Sequence, residues 1–532
     1  MKKIFFFYLL LLVSTPSVFC EEKRPNIIVI MADDMGYSDL GCYGSEINTP
    51  NLDKLAAKGM KFTQFYNNAR CCPTRASLLT GIYPHQAGMG EMVDKGPVKS
   101  RSPETPYQGW LSHQSVTIAE VLKTAGYTTY MSGKWHVGEE RQDWPLQRGF
   151  DKYFGLVNGT SSYFEQLPPH QIVEGNDPYK IPENFYMTDA ISEKAVGFIN
   201  ESKGAKNPFF MYVAYTAPHF PLHAPAEEIA KYRGKYRIGW DKLREQRHAK
   251  QLKLGLLPKG FPLSEREAAV VPWENATDKD EWDLKMATYA AMITCMDAGI
   301  GKIVAQLKAN GQLENTMVVF LADNGGCAEV IGENQLKGYV GDDKYTATLA
   351  TPTGQKGSFQ VYGKPWAIAS NTPFRFYKQF THEGGISTPF IVHFPKYIKK
   401  ASQTNQVGHI MDIMPTCLEL ANARYPTTFK DNKIKPLEGL SLMPIIEGKT
   451  RKEHEYLAWE HFDCRALRQG NMKLVWAKTL KKWELYDMKN DRCELNDLAA
   501  KSPQKLKEMI ALYDKWAAKA GVEERTAKKA GE

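Results

Sequence analysis

Two polar pairs stand where apolar runs stop. Asp33-Asp34 follows the run NIIVIM at residues 26–31, and Asp323-Asn324 follows VVFL at residues 318–321. The four side chains offer only oxygen donors, which suit a hard divalent cation such as Ca²⁺ or Mg²⁺, and no CxxC or Cys/His cluster argues for zinc. One such pair alone reads as a turn or a helix cap; two at strand ends of one sheet weaken that account. Lys134 and His136, in GKWH, lie two apart, so in an extended segment both point the same way and set a cation beside an acid or base. A third apolar run, FFMYVAY at 209–215, ends in Thr216-Ala217-Pro218-His219. The stretch RCCPTRASLLTG at 70–81 holds adjacent thiols before a proline and an arginine. By residue type alone, structural disulfide, metal ligand and nucleophile are all open for Cys71 and Cys72.

The elements that must position these groups follow from periodicity. The apolar runs read as strands buried on both faces. Helical patterns lie between them: residues 51–58 after Thr49-Pro50, residues 116–124 before Gly126, and a long helix with Met286, Ile293, Ile300 and Leu307 on one face, stopping near Gly311. Strands alternating with helices predict an α/β fold, a large mostly parallel sheet sandwiched by helices. Ligands in such sheets sit beyond the carboxyl ends of the strands, where Asp33-Asp34, His219 and Asp323-Asn324 all fall. Residues 224–283 are charged and weakly periodic and read as a surface excursion near the active face, where selectivity is often set. Beyond Gly448, short alternating runs at 456–460, 473–476 and 483–486 precede a helix at 503–518. They predict a small antiparallel sheet with one helix, so that residues 24–448 form the main domain and 449–525 a C-terminal subdomain.

Composition narrows the class. The 532 residues are 43% hydrophobic and 24% charged, as in ordinary globular proteins. Residues 1–20 have the basic start, apolar run and small-residue end of a cleaved signal, which predicts an exported, periplasmic or extracellular protein. No later segment reads as a membrane span. The nine cysteines are few and irregular for an exported chain; a disulfide framework is not expected, although a bridge such as Cys464 with Cys493 is open. The net charge of +8 includes a basic stretch at 231–259 without interleaved aromatics, which disfavours nucleic acid and is compatible with an anionic substrate. His85, His223, His382 and His461 read as structural or surface groups, with His223 also a candidate for the mouth of a pocket.

Cys71-Cys72-Pro73-Thr74-Arg75, continuing to Thr80-Gly81, resembles the sulfatase signature Cys-x-Pro-Ser/Thr-Arg, whose first cysteine is oxidised to formylglycine. The resemblance extends in family order through Asp33-Asp34, Gly133-Lys134-Trp135-His136, Ala217-Pro218-His219, Asp323-Asn324-Gly325, Lys378 before Glu383-Gly384-Gly385, Asp412 to Thr416, and Leu485-Tyr486-Asp487. It implies the alkaline-phosphatase-like fold and is most like bacterial arylsulfatases. By the same resemblance Cys71 is the formylglycine precursor and Cys72 a spacer, and Thr74 stands where serine is more usual. Asp33, Asp34, Asp323, Asn324 and the modified Cys71 would bind Ca²⁺, or Mg²⁺. Arg75 and Lys134 would hold the hydrated aldehyde, His136 would take a proton, and Lys378 and His219 would meet the sulfate and the bridging oxygen, with His219 as the acid. One hydroxyl of the diol can attack sulfur while the other later expels sulfate by re-forming the carbonyl. Near Gly159, where some relatives place a hydroxyl residue, no role is assigned.

The implied partners are a sulfated small molecule or glycan and a maturation enzyme, either formylglycine-generating or anaerobic sulfatase-maturing, with neither nucleic acid nor stable membrane insertion. Two other readings share these motifs: a phosphate or phosphonate ester hydrolase of the same superfamily, and a catalytically silent binder of sulfated glycans.

Overall fold

A computed structural model describes residues 23–93, 105–167, 169–340, 347–477 and 479–523; the expected signal segment lies outside them. Five parallel strands form the centre of a ten-stranded sheet, in the spatial order Thr316–Ala322, Asn26–Ala32, Phe209–Ala214, Thr128–Gly133, Lys152–Leu156. Antiparallel neighbours flank them, Phe390–His393 at one side and Ile172–Glu174 at the other. The sheet is therefore mostly parallel with mixed margins.

The central strand shows why its sequence is an unbroken apolar run. Ile28, Ile30 and Ala32 enter one core with the helices Met187–Glu201 and Lys279–Ala309. Ile27, Val29 and Met31 enter a second core with Cys71–Thr80, Ile118–Thr124 and Ile413–Ala421. Both faces are covered, so neither register position has room for a polar side chain. Thr117 and Glu120 start the helix Ile118–Thr124 by reciprocal side-chain to backbone bonds of 3.0 and 2.9 Å, the capping box written in Thr-x-x-Glu.

Four features differ from the sequence expectation. The 31-residue helix Lys279–Ala309 is long and apolar enough to cross a membrane, but 61% of its apolar window is buried inside the protein; its apolar character serves a core between sheet and helices. Residues 224–283, expected as a weakly periodic surface excursion, hold regular structure. They contain the helix Gly239–Lys253, which buries Trp240 and places Arg247 within 2.6 Å of Asp39 and 2.9 Å of Glu46, bolting it to the segment after Asp33-Asp34. Cys464 and Cys493 form no disulfide; the Cys493 thiol instead lies 3.3 Å from the carbonyls of Pro262 and Pro373. The C-terminal sheet has four strands rather than three: Leu457–His461, Cys464–Gln469, Met472–Ala477 and Lys482–Asp487.

The helix Pro503–Ala520 packs Trp516 and Tyr513 onto that sheet. Its first two strands are joined by Phe462-Asp463, both left-handed with φ of 50° and 63°, as the twist of a two-residue hairpin demands. The subdomain is fixed to the main body by a buried ion cluster. Lys473 Nζ is 2.9 Å from Glu383 and 2.8 Å from Glu494, and Arg492 is 2.9 Å from Glu383.

Candidate active site

The parallel strands end on one edge, and the residues just beyond them converge. Asn26–Ala32 delivers Asp33 and Asp34, Thr316–Ala322 delivers Asp323 and Asn324, Thr128–Gly133 delivers Lys134 and His136, and Phe209–Ala214 leads to His219. Gly133 makes the third delivery feasible: its φ is 118°, and a Cβ there would stand 1.9 Å from the Ala214 carbonyl. The helix Cys71–Thr80, buried along its whole length, brings Cys71 in at its first turn, so the positive end of the helix dipole faces the cluster. Lys378 arrives from a loop with Phe376 and Gln379 in left-handed conformations. Asp34 and His136 are left-handed too, with φ of 64° and 55°, a concentration of costly backbone at one place.

All ten residues expected at the site are at most 7% exposed. Cys71 Sγ is 3.5 Å from Asp33 Oδ1 and 3.6 Å from Asn324 Oδ1. Lys134 Nζ donates to Asp33 Oδ2 at 2.6 Å, and Lys378 Nζ to Asp34 at 2.7 Å. Arg75 donates to Asp323 Oδ2 at 2.8 Å and lies 3.5 Å from Asp33. The Asn324 amide donates to Asp34 Oδ1 at 2.7 Å. His219 Nδ1 donates to the Phe220 carbonyl at 2.6 Å, leaving Nε2 to face Asp34 Oδ2 at 3.4 Å.

This donor set fits a metal ion. One ligand atom each from Asp33, Asp34, Cys71 and His219 lies within 4.8 Å of the others, and the Asn324 carbonyl stands beside them. Asp323 sits at the margin, its Oδ1 accepting the Asp34 amide at 3.1 Å. Three carboxyl groups, Asp33, Asp34 and Asp323, face three cations, Arg75, Lys134 and Lys378, so a divalent ion would add positive charge suited to receiving an anion.

Burial sets the electrostatics. It pushes Asp33 up, yet Lys134, His219, Arg75 and Lys378 together hold its carboxyl well below the usual range. Asp323 moves the other way, to about 7, through burial and the neighbouring Asp33. Burial, with Lys134 and Arg75, drives His136 well below an ordinary histidine, so its imidazole is neutral. Burial also lowers His219, against the pull of Asp34 and Asp33. The Cys71 thiol is pushed well up by burial, which Lys134 and Lys378 only partly offset; as a thiol it is a poor nucleophile.

Above the cluster opens a cleft of about 640 Å³ lined by Cys71, His136, His219 and Lys378. The left-handed turn at His136 breaks the extended geometry expected of GKWH. Lys134 points into the ion cluster, and the His136 ring lies on Gly159, where a Cβ would come within 2.6 Å of Nε2. His223 is not at the mouth: it is fully buried, with Nε2 2.9 Å from the Ser358 carbonyl. His85 and His382 pair with Glu460 and Glu484. No residue of 224–283 lines this cleft. Its walls instead use Arg70, Glu329, Tyr339 and Phe462, which the motifs did not single out. Arg70 adjoins Cys71 and Glu329 comes soon after the Asp323-Asn324-Gly-Gly turn, so two of these were within reach of sequence; Phe462 carried no signal.

The profile of the sulfatase family matches residues 25–423. The chain belongs to the sulfatase family. A second profile, the C-terminal part of N-sulphoglucosamine sulphohydrolase, matches residues 374–516 of this sulfatase. An uncharacterised sulfatase of Schizosaccharomyces pombe is 36% identical over 94% of this chain and 95% of its own length. The arylsulfatase of Klebsiella aerogenes is 35% identical over 82% of this chain and 95% of its own. Among solved structures, Ps i-CgsB in complex with k-i-k-neocarrahexaose superposes with a TM-score of 0.68 at 27% identity, covering 95% of each chain. The alkaline-phosphatase-like architecture and the hydrolysis of sulfate esters follow for this sulfatase, and the acidic cluster agrees with a metal-dependent enzyme.

Proposed function

We propose that this sulfatase is exported and hydrolyses sulfate monoesters in the arylsulfatase manner, with Cys71 converted to formylglycine and Ca²⁺ at the acidic cluster. The observation that carries the reading is Cys71 at the first turn of a buried helix, within 3.6 Å of both Asp33 and Asn324, at the foot of an open cleft. The cation would be held by Asp33, Asp34, Asp323, Asn324 and the modified Cys71 and would polarise sulfate oxygens. The hydrated aldehyde would supply a nucleophilic hydroxyl together with an exit route that plain serine lacks. Arg75 and Lys134 fix the carboxylates around the modified residue and add positive charge beneath the sulfate. Lys378, beside Asp34, faces the sulfate from the other wall. His219, whose Nδ1–H is held by the Phe220 carbonyl, would need a second proton on Nε2, the state that Asp34 and Asp33 favour against burial, to act as the acid toward the bridging oxygen. His136, kept neutral by burial and by Lys134, accepts a proton on the opposite side.

Turnover of nitrophenyl sulfate, compared with the matching phosphate and phosphonate, tests the reading, and a strong preference for phosphorus would reject it. The Cys71 peptide should be about 18 Da lighter than the thiol form in protein from the native host. An unmodified Cys71 with no sulfate release would favour a binding protein instead.

A further inference from the structure

With sulfate held between Lys134, Lys378 and His219, the alcohol part of the ester must rise between the cleft walls, so whatever is fixed in those walls meets the leaving group. One wall is a built polar device. Glu329 Oε1 accepts from Arg70 at 2.6 Å and from Gln379 at 3.3 Å, while among the described residues its other oxygen is met only by the Tyr339 hydroxyl at 3.5 Å, the outer limit of a hydrogen bond. Arg70 is itself held, its guanidinium 5.8 Å from the Phe462 ring. The loops carrying Arg70 and Gln379 are joined by a backbone bond from Gln379 to Ala69 of 2.8 Å. Glu329 is thus oriented, and among the described residues its Oε2 is one donor short. Burial raises its carboxyl, but Arg70, Lys378 and His219 outweigh that and keep it ionised, which also places it within electrostatic reach of the groups facing the ester.

We propose that Glu329, buttressed by Arg70, selects the leaving group: its outer oxygen accepts a hydrogen bond from a hydroxyl of a neutral sugar, and its charge turns away leaving groups that carry a further anion. An ionised carboxylate is an acceptor only, so its partner must bring a proton. Arg70 engages Oε1 only, so a second sulfate or a uronate on the leaving group would meet the outer, unneutralised oxygen Oε2. Val330, 75% exposed on the cleft lining, and Phe462 give apolar surface suited to the C–H face of a sugar ring. The inference rests on the sulfatase reading and adds to it the class of alcohol released.

Three substrates decide it: nitrophenyl sulfate, a monosulfated neutral hexose, and the same hexose carrying a second sulfate. The wild-type enzyme is expected to favour the monosulfated over the disulfated sugar in kcat/KM by about tenfold or more. In Glu329→Gln, the ratio of kcat/KM for the monosulfated hexose over nitrophenyl sulfate should fall about tenfold, and the ratio of monosulfated to disulfated hexose should fall as well. Equal loss on all three substrates, or a wild-type preference for the disulfated sugar, overturns the proposal; the second measurement needs no variant to fold. Sulfate release from nitrophenyl sulfate but from neither sugar refutes Glu329 alone. Failure to release sulfate from any of the three sinks the sulfatase reading and this proposal with it.

Discussion

Replacing Lys134 by methionine separates electrostatic catalysis from scaffolding. Lys134 Nζ and Asp33 Oδ2 are 2.6 Å apart, and the two side chains are 0% and 1% exposed. Removing one partner of a buried pair costs about 3–5 kcal/mol. Arg75 remains 3.5 Å from Asp33, so the lower end, about 3 kcal/mol, applies. For a chain of 532 residues, unfolding entropy near Tm is about 1 kcal/mol per degree, so Tm should fall by only about 3 °C. The catalytic loss is larger in effect, because a preorganised positive group beneath the sulfate contributes about 100- to 1,000-fold in kcat. Thermal unfolding and nitrophenyl sulfate kinetics on the same sample separate the two quantities. A variant with the Tm drop but a kcat within about threefold of wild type would mean that Lys134 only holds Asp33 in place, refuting its part in charge stabilisation.

Chelation should abolish turnover and lower Tm; Ca²⁺ at about 100 times its Kd restores about 2.7 kcal/mol, again about 3 °C, and an unchanged Tm would deny a structural cation at Asp33 and Asp34. Gly159→Ala should push the His136 ring aside, cutting kcat about 10- to 100-fold with little change in KM or Tm, whereas a rise in KM alone would place the effect on substrate binding. Stability should decline in acid through His223. Burial lowers it from 6.5 to about 4, partly offset by the Ser358 carbonyl. The unfolded chain therefore binds the extra proton between those values: the stabilisation is complete above pH 6.5 and is lost as pH falls toward about 4, a difference worth about 3 kcal/mol. Urea unfolding of wild type and His223→Gln across that window should give a shallower pH slope for the variant, and parallel slopes would assign the acid lability elsewhere.

The acidic and amide residues at the strand ends were legible because parallel strands buried on both faces must deliver their next residues to a common edge; Asp33, Asp34, Asp323 and Asn324 could be placed from that rule and local pattern. Cys71, Arg75 and Lys378 needed the family resemblance, since nothing in a helix or loop sequence says which strand edge it approaches. Other features were hidden for physical reasons. His136 takes a left-handed turn that its residue type does not advertise. The strand Cys464–Gln469 is interrupted by Arg465 and Arg468, which obscure its alternation. The apolar helix Lys279–Ala309 reads alike whether lipid or protein surrounds it. Arg70, Glu329 and Phe462 meet across 259 and 392 positions of chain, beyond any local pattern.

The buried ions at the C-terminal junction bear on the order in which this protein comes alive. Glu383, five residues after Lys378, depends on Lys473 and Arg492 for its countercharges, and an unpaired buried carboxylate is strongly unfavourable. A nascent chain that has emerged only as far as the main sheet has its acidic cluster, and the loop bearing Lys378 bonded to Ala69 and Gly326, but leaves Glu383 without a countercharge. Chains that stop short of those strands are therefore expected to hold this loop less firmly and to lose hydrolase activity.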